Sequence, residues 1–147
     1  MCGRIRLGYV GEHLARLYAA KLLAQHEPSL DIKPTQAVVV LRGAGGERVL
    51  ESMRWGLIPS WSKDRKIAYK TFNARAETLA EKPAFRTSFR SRRCGIVVDA
   101  FYEWCDVGGR RVPHAIRVAG PRSSLSPASG TSGPPPPTER SSARARS

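Results

Sequence analysis

The residue with the most distinctive chemistry is Cys2, which directly follows the initiator methionine. Removal of Met1 exposes a cysteine that carries both a free α-amine and a thiol. These groups ordinarily have pKa values of about 7.7–8.0 and about 8.5, so both are partly nucleophilic near pH 7. The amine can add to an aldehyde to give an imine, and the thiolate can then close a five-membered thiazolidine ring. The same cysteine could instead be the nucleophile of an N-terminal hydrolase, with its own amine as base.

Positive charge and aromatic rings are concentrated in residues 54–93. The 147-residue chain has 25 Lys and Arg against 12 Asp and Glu, a formal net charge of +13. Residues 54–93 hold 11 of the basic residues and only three acidic ones. The interleaved aromatic residues are Trp55, Trp61, Tyr69, Phe72, Phe85 and Phe89. This pattern favours a polyanionic partner, with nucleic acid first, and the alternative is a solvated basic face.

Composition argues against several other classes of protein. No apolar run approaches the ~18 residues of a membrane span, and the N-terminus lacks the apolar region of a signal peptide. The three cysteines, Cys2, Cys94 and Cys105, are an odd number, which favours free thiols in a reducing cytoplasm. Without a C-x-x-C pair, zinc is not expected, and nothing calls for another metal or an organic cofactor. We expect a cytoplasmic monomer, nucleoid-associated if the source is bacterial, with no membrane partner.

Hydrophobic periodicity predicts a helix followed by a hairpin. Leu14, Leu17, Tyr18 and Leu22 share one face of a helix over residues 12–25. Residues 37–41 and 48–53 predict two strands, joined through a segment that holds three glycines.

Two more strands and a long loop complete the predicted elements. Residues 94–99, continuing toward Trp104, predict a third strand, and residues 112–118 predict a fourth after the Gly108-Gly109 turn. Residues 59–93 between them are polar, basic and only weakly periodic, which is typical of a functional loop. The pattern predicts an α+β domain, mostly antiparallel β, with a helix near its start.

The chain divides by composition near residue 119. Residues 120–147 contain 3 Gly, 6 Pro and 8 Ser, and Leu125 is their only large aliphatic residue. Such a segment buries too little apolar surface to offset its ordering entropy. We therefore predict a folded domain over residues 1–119 and a disordered C-terminal tail over residues 120–147.

Four blocks in this order resemble the SOS response-associated peptidase (SRAP) family of abasic-site processing proteins. The blocks are Met1-Cys2-Gly3-Arg4, residues 55–61 (WGLIPSW), residues 73–78 (NARAET), and Arg93-Cys94 leading to residues 101–104 (FYEW). The resemblance covers the chain up to about residue 118 and implies a barrel-like domain, here incomplete. It implies DNA-damage (SOS) function, in which the N-terminal cysteine forms a stable thiazolidine with the aldehyde of an abasic site in single-stranded DNA.

The resemblance also implies roles for individual residues. Cys2 matches the nucleophile, Glu103 the catalytic glutamate and Asn73 the active-site asparagine. An abasic deoxyribose is mostly a closed hemiacetal, so Glu103, between Tyr102 and Trp104, would open the ring and transfer protons during imine formation. The amide of Asn73 would donate to a sugar oxygen and orient the amine.

The expected DNA contacts come from arginines, which the resemblance implies, and from tryptophans. Arg4 and Arg75 match family arginines that contact phosphates, and Arg4 could also favour the thiolate of Cys2. Trp61 and Trp104 could stack on bases beside the gap, or pack in the core. Because a missing base offers no edge to read, we expect recognition without sequence specificity.

This chain departs from the family pattern at three places. Ala100 replaces the glycine of an Ala-Asp-Gly block, which would strain the approach to Glu103 if that position needs a positive φ. Asp31 and Lys33 stand where the family has an Asn-x-Ala-Pro stretch, which changes the charge beside Pro34. The histidine of the family's C-terminal half has no counterpart after residue 118, and His114 is not its equivalent.

Four hypotheses follow from these observations. The first is a protein that captures abasic sites through Cys2. The second is a cysteine peptidase that processes its own N-terminus, and the third is a non-covalent nucleic-acid-binding module. The fourth is a truncated or frameshifted, inactive copy, whose sheet edges and apolar faces would lack their partners.

Overall fold

The computed structural model describes residues 3–117 and 125–126. Two α-helices, α1 (Gly11–Tyr18) and α2 (Arg86–Ser91), and two 3₁₀ helices (Arg65–Tyr69 and Ala76–Thr78) accompany nine strands. The strands are β1 (Ile5–Leu7), β2 (Lys21–Leu22), β3 (Ser29–Ile32), β4 (Ala37–Ala44), β5 (Glu47–Arg54), β6 (Gly95–Val97), β7 (Ala100–Val107), β8 (Arg110–Ile116) and β9 (Leu125–Ser126).

The strands form two open sheets. The first has the order β3-β1-β7-β8 and the second β2-β5-β4-β6-β9. All neighbouring strands are antiparallel except β2 and β5, which are parallel. The predicted α+β, mainly antiparallel fold is therefore confirmed. The barrel-like closure expected from the resemblance is not found in the described residues, because β3 and β8 each pair on one side only.

Two glycine turns produce hairpins. Gly45 and Gly46 (φ 57° and 83°) join β4 to β5, and Gly108 and Gly109 (φ 59° and 79°) join β7 to β8. Two consecutive residues with positive φ suit the tight turns that match the twist of antiparallel strands. The predicted hairpin of β4 and β5 is confirmed, and so are the predicted Gly108-Gly109 turn and the strand that follows it.

The chain changes sheets at Asp99, where the sequence predicted one continuous strand from Cys94 toward Trp104. That prediction is wrong, since β6 pairs with β4 and β7 pairs with β1. The Asp99 backbone N–H donates to the Arg6 carbonyl (3.0 Å). The carboxylate accepts from the Gly8 N–H and lies 2.6 Å from Arg6 Nε. These contacts fix the corner between the sheets.

The predicted helix over residues 12–25 is too long. α1 ends at Tyr18, and Ala19 takes the left-handed conformation (φ 46°). Beyond it, Leu22 pairs with Leu50 in the parallel β2–β5 ladder, and the Leu23 N–H donates to the Leu50 carbonyl (2.8 Å). Sheet pairing thus outweighs the helical periodicity that includes Leu22.

The core lies between the sheets and α1, with a smaller cluster under the long connection. The main cluster includes Leu7, Leu14, Val40, Leu50 and Val97, each at most 2% exposed. The smaller cluster consists of Leu57, Leu79 and Phe85. It organises residues 59–93, which the sequence predicted as a loop and which contain α2 and both 3₁₀ helices.

The region predicted as a tail lies mostly outside the described residues. Within it, the backbone of Leu125–Ser126 pairs with Ile96 and Val97 of β6. The domain boundary at residue 119 remains a prediction. None of the described helices is long and apolar enough to cross a membrane.

Candidate functional site

Cys2 lies outside the described residues, and the residues that follow it lie against the first sheet. Gly3 and Arg4 lead directly into β1, and the Arg4 carbonyl accepts a hydrogen bond from the Tyr102 N–H (2.9 Å). This bond ties the start of the chain to β7, next to Glu103. An added Cβ on Gly3 would meet nothing within 4 Å, so the surface there is open.

The side chain of Arg4 joins two other strands. Its guanidinium carbon lies 5.1 Å from the centre of the Trp104 ring on β7, and its Nε lies 3.0 Å from the Asp31 carboxylate on β3. The other oxygen of Asp31 lies 3.2 Å from Lys33 Nζ. A guanidinium above an indole face is attracted by the ring quadrupole, which helps to hold the arginine side chain in place. The structure therefore brings together two of the residues predicted to contact DNA, Arg4 and Trp104.

Glu103 is half-buried and faces the other side of the same sheet. The β1–β7 register pairs the buried Ile5 with Phe101, so residues 101 and 103 share the inner face while Trp104 shares the outer face with Arg4. Directly opposite Glu103 on β8 is His114. The side chains of Tyr102 and Trp104 consequently lie on the opposite face of β7 and do not flank the Glu103 carboxylate as the sequence suggested.

Asn73 is held in the wall of a pocket by the segment that contains Trp55. The indole N–H of Trp55 donates to the Phe72 carbonyl (2.9 Å), and the Leu57 N–H donates to the Thr71 carbonyl (3.3 Å). Asn73 itself is half-buried. The pocket is otherwise mostly apolar, and its walls include Val38, Val40, Met53, Trp55, Phe85, Cys94 and Ile96.

The close approach of Gly56 to the 3₁₀ helix explains the glycine of the WGLIPSW block. Gly56 has a φ of 120°, and a Cβ placed on it would lie 2.7 Å from the Ala68 carbonyl oxygen. Only glycine takes this conformation readily. Trp55 and Gly56 therefore position the segment 68–72, which directly precedes Asn73.

Arg75 and Trp61 are exposed on the long connection from β5 to β6. Arg75 precedes the 3₁₀ helix Ala76–Thr78, and its carbonyl accepts from the Thr78 N–H (3.2 Å). Trp61 is 60% exposed, beside a turn in which the Ser62 N–H donates to the Pro59 carbonyl (2.9 Å). Exposure makes both side chains accessible to a ligand, and it removes core packing as the explanation for Trp61.

The predicted site residues fall into two groups. Glu103 and Trp104 lie in the first sheet, and Arg4 directly precedes its strand β1. Asn73, Arg75 and Trp61 lie on the connection from β5 to β6, two strands of the second sheet. From the sequence, Asp31 and Lys33 are only departures from a motif, and nothing indicates that they lie near Arg4. The pairing of His114 with Glu103 is likewise not evident from the sequence. These contacts depend on how β3 pairs with β1 and how β8 pairs with β7, and the sequence alone does not reveal that register.

The described cysteine and acidic side chains give no sign of a metal site. Cys94 is half-buried, and the Cys105 thiol is exposed. Over the described part of the chain, no three His, Cys, Asp or Glu side chains are arranged to hold a metal ion.

Several curated proteins are similar to this chain. Abasic site processing protein YoaM of Bacillus subtilis is 38% identical over 122 residues, which are 80% of this chain and 54% of that protein. YoqW of the same organism, also named an abasic site processing protein, is 42% identical over 122 residues with the same coverage. Abasic site processing protein HMCES of Xenopus tropicalis is 42% identical over 86 residues, 56% of this chain and 26% of that protein. The chain spans about half the length of the Bacillus relatives.

Two solved structures have a fold similar to that of this chain. A Bacteroides thetaiotaomicron protein superposes with a TM-score of 0.70 at 22% identity, covering 80% of this chain and 55% of that one. A Bordetella bronchiseptica protein superposes with a TM-score of 0.63 at 30% identity, covering 78% and 56%.

The sequence model of one family accounts for most of the chain. It is described as SOS response associated peptidase (SRAP), and it matches residues 1–129, from Cys2 through all four sequence blocks. This match confirms the resemblance inferred from those blocks. The chain belongs to the SOS response associated peptidase family.

Proposed function

We propose that this protein captures abasic sites in single-stranded DNA by forming a covalent bond through Cys2. The observation that carries the proposal is the family match, which begins at residue 1 and so includes the N-terminal cysteine. Relatives at 38% and 42% identity are named abasic site processing proteins.

The proposed reaction needs an aldehyde and an N-terminal aminothiol, and no oxidant or reductant. Once Met1 is removed, the α-amine of Cys2 adds to the aldehyde carbon of the open sugar, and loss of water gives an imine. The Cys2 thiolate then attacks the imine carbon, a C–S bond forms and the nitrogen takes up a proton. The products are a five-membered thiazolidine and one molecule of water.

Glu103 and Asn73 are the proposed catalytic partners of Cys2. Glu103 lies next to Tyr102, whose N–H is bonded to the Arg4 carbonyl, so β7 brings its carboxyl near the start of β1. A carboxyl there can protonate the ring oxygen as the hemiacetal opens and assist the loss of water from the adduct. Asn73 would donate its amide N–H to a sugar hydroxyl.

The DNA contacts in this proposal are made by phosphate-binding arginines and by stacking. Arg4 and Arg75 would bind backbone phosphates, for which a guanidinium is well suited. Trp61 and Trp104 would stack on bases beside the lesion, as aromatic residues do in proteins that bind single strands. The exposed basic residues of segment 54–93 would extend this contact without sequence preference. The protein would act in the cytoplasm as a monomer.

A cross-linking experiment tests the central step. The chain lacking Met1 is incubated with a labelled single-stranded oligonucleotide that contains one abasic site, and the products are separated under denaturing conditions. We expect a shifted band that survives heat and detergent, is lost in Cys2→Ala and is retained in Cys105→Ala, which removes an exposed thiol. A shift seen only on native gels would reduce the function to non-covalent binding, and no shift on either gel would contradict the proposal.

Glu103→Gln tests the acid–base step separately. General acid–base catalysis typically contributes about 10²-fold or more, so the cross-linking rate should fall by that order while salt-sensitive DNA binding persists. Glu77→Gln, at an exposed position in a 3₁₀ helix, serves as the matched control. A Glu103→Gln protein that cross-links at the original rate would remove Glu103 from the mechanism.

Self-processing is the second candidate function, because the family is described as a peptidase. The chain would be translated in a reconstituted system without methionine aminopeptidase, and its N-terminus read by mass spectrometry. Loss of Met1 in the original chain but not in Cys2→Ala would favour self-processing. Retention of Met1 in both would leave aldehyde capture as the function of Cys2.

A further inference from the structure

Three charged side chains form a cation–anion–cation group on the outer face of the first sheet. Arg4 Nε lies 3.0 Å from one carboxylate oxygen of Asp31, and Lys33 Nζ lies 3.2 Å from the other. The side chains of Arg4, Asp31 and Lys33 are 36%, 49% and 51% exposed. The Asp31 carboxylate therefore lies between two cations on an open surface.

The β1–β3 register explains how the group assembles. The buried Ile5 pairs with the buried Ile32, so the residues on either side of this pair, Arg4, Asp31 and Lys33, point to the opposite face. The Tyr102 hydroxyl donates to the Leu30 carbonyl (3.0 Å) and links β3 to β7 across the same face. The positions of both cations are thus set by the sheet.

We propose that Arg4 and Lys33 form a clamp for a DNA backbone phosphate, and that Asp31 occupies this clamp in the free protein and competes with DNA. The Asp31 carboxylate, like a phosphodiester, offers anionic oxygens to both cations. Of these two cations, the resemblance assigns a phosphate contact to Arg4 alone, and its pattern has alanine where Lys33 stands. This inference rests on the proposed function and adds to it a second cation and an internal competitor.

The energetics allow Asp31 to be displaced. Exposed ion pairs of this kind contribute little to stability, because solvent and salt screen them and the side chains lose conformational freedom. The contact of the Arg4 guanidinium with the Trp104 ring does not involve Asp31, so it can hold the arginine near the clamp when the carboxylate leaves. Asp31 therefore lowers the affinity for DNA without blocking the site.

Non-covalent binding to an undamaged oligonucleotide tests the clamp apart from the cross-link. The full chain is titrated into a fluorescein-labelled dT15 single strand at several NaCl concentrations, and the dissociation constant is followed by anisotropy. Asp31→Asn should bind about 3- to 10-fold more tightly at low salt, since the two cations no longer share a carboxylate. Lys33→Ala should bind more weakly, with a plot of log K against log salt that is less steep by about 0.7, the value of one phosphate contact on a single strand.

Glu47→Gln is the matched control for Asp31→Asn. It makes the same change in net charge at an exposed position at the start of β5, in the other sheet. We expect it to strengthen binding less than twofold. Circular dichroism checks that each variant is folded, and the double variant Asp31→Asn, Lys33→Ala should return close to the affinity of the original chain.

The outcomes separate the clamp from the proposed function. If neither the original chain nor any variant binds the single strand, the proposed function fails. If the original chain binds but Asp31→Asn behaves like Glu47→Gln, the competition is refuted. Should Asp31→Asn fail to fold, Lys33→Ala decides alone, and an unchanged salt dependence in that variant refutes the clamp.

Discussion

The indole nitrogen of Trp55 lies 2.9 Å from the carbonyl oxygen of Phe72 and donates a hydrogen bond to it. Trp55 is 6% exposed, and its ring packs edge-on against Phe72 with centroids 6.1 Å apart. Since Asn73 follows Phe72 directly, this bond connects the end of the β4–β5 hairpin to a proposed active-site residue. Trp55, a core residue, therefore fixes the backbone next to Asn73.

Trp55→Phe should weaken both stability and cross-linking. The change leaves the Phe72 carbonyl without its indole donor, at a cost of about 1–3 kcal/mol in the free energy of unfolding. We expect cross-linking to slow because Asn73 is held less firmly, while affinity for single-stranded DNA changes less. Urea unfolding and the denaturing-gel assay measure the two effects.

The comparison for Trp55→Phe is Trp61→Phe, which makes the same chemical change at a 60% exposed position. It should leave the unfolding free energy within about 0.5 kcal/mol of the original value. Equal stability of the two variants would show that the Trp55 hydrogen bond does not hold this segment.

Gly56→Ala should be strongly destabilising. The backbone φ is 120° and the new Cβ would lie 2.7 Å from the Ala68 carbonyl oxygen, so strain and a backbone clash both oppose the change. We expect a loss of about 2 kcal/mol or more in the free energy of unfolding, measured by urea denaturation. Gly43→Ala is the control, because a Cβ on Gly43 in β4 meets nothing within 4 Å. Similar midpoints for the two variants would contradict the close approach.

The sequence was most informative where structure is local. The glycines near positions 45–46 predicted a hairpin and those at 108–109 a turn, since such turns need only two neighbouring residues with positive φ. The end of α1 could not be predicted, because Leu22 pairs with Leu50, which is distant in the sequence. The same limit applies to the site, where Arg4 meets Asp31 and Trp104 only through the order of β3, β1 and β7.

Ala100 is well suited to its position, in contrast to the strain considered from the sequence. The described non-glycine residues with positive φ are Ala19 and Thr35, so Ala100 has an ordinary strand conformation. It is 2% exposed at the start of β7. Replacing it with the family's glycine should therefore destabilise the protein by about 1–2 kcal/mol, the sum of added backbone freedom and a lost buried methyl group.

Ala115→Gly separates the two contributions to the Ala100→Gly effect. Ala115 lies in β8 and is exposed, so its replacement changes backbone freedom with little loss of burial. We expect Ala100→Gly to be the more destabilising of the two in urea unfolding. An Ala100→Gly protein that is more stable than the original would mean that this position prefers glycine.

His26 should make the stability of the protein depend on pH between about 7 and 5.5. Burial lowers the pKa of His26 below its ordinary value of 6.5, and Glu27 opposes this shift only in part. Its Nε2 is buried and has no hydrogen-bond partner among the described residues. Below pH 6.5 the unfolded chain therefore binds more protons at this position than the folded chain, and stability falls as the pH falls.

Thermal unfolding at pH 7.0, 6.0 and 5.5 tests this sign. The unfolding midpoint of the original chain should decrease over this range, and His26→Leu should reduce the decrease because it removes the titrating group. His114→Gln changes an exposed histidine on β8 and should retain the original pH dependence, since His26 is still present. If His26→Leu and the original chain lose stability in parallel, the destabilisation arises from other groups. If the midpoint rises as the pH falls, the protonated form of His26 is favoured in the folded state, contrary to its burial.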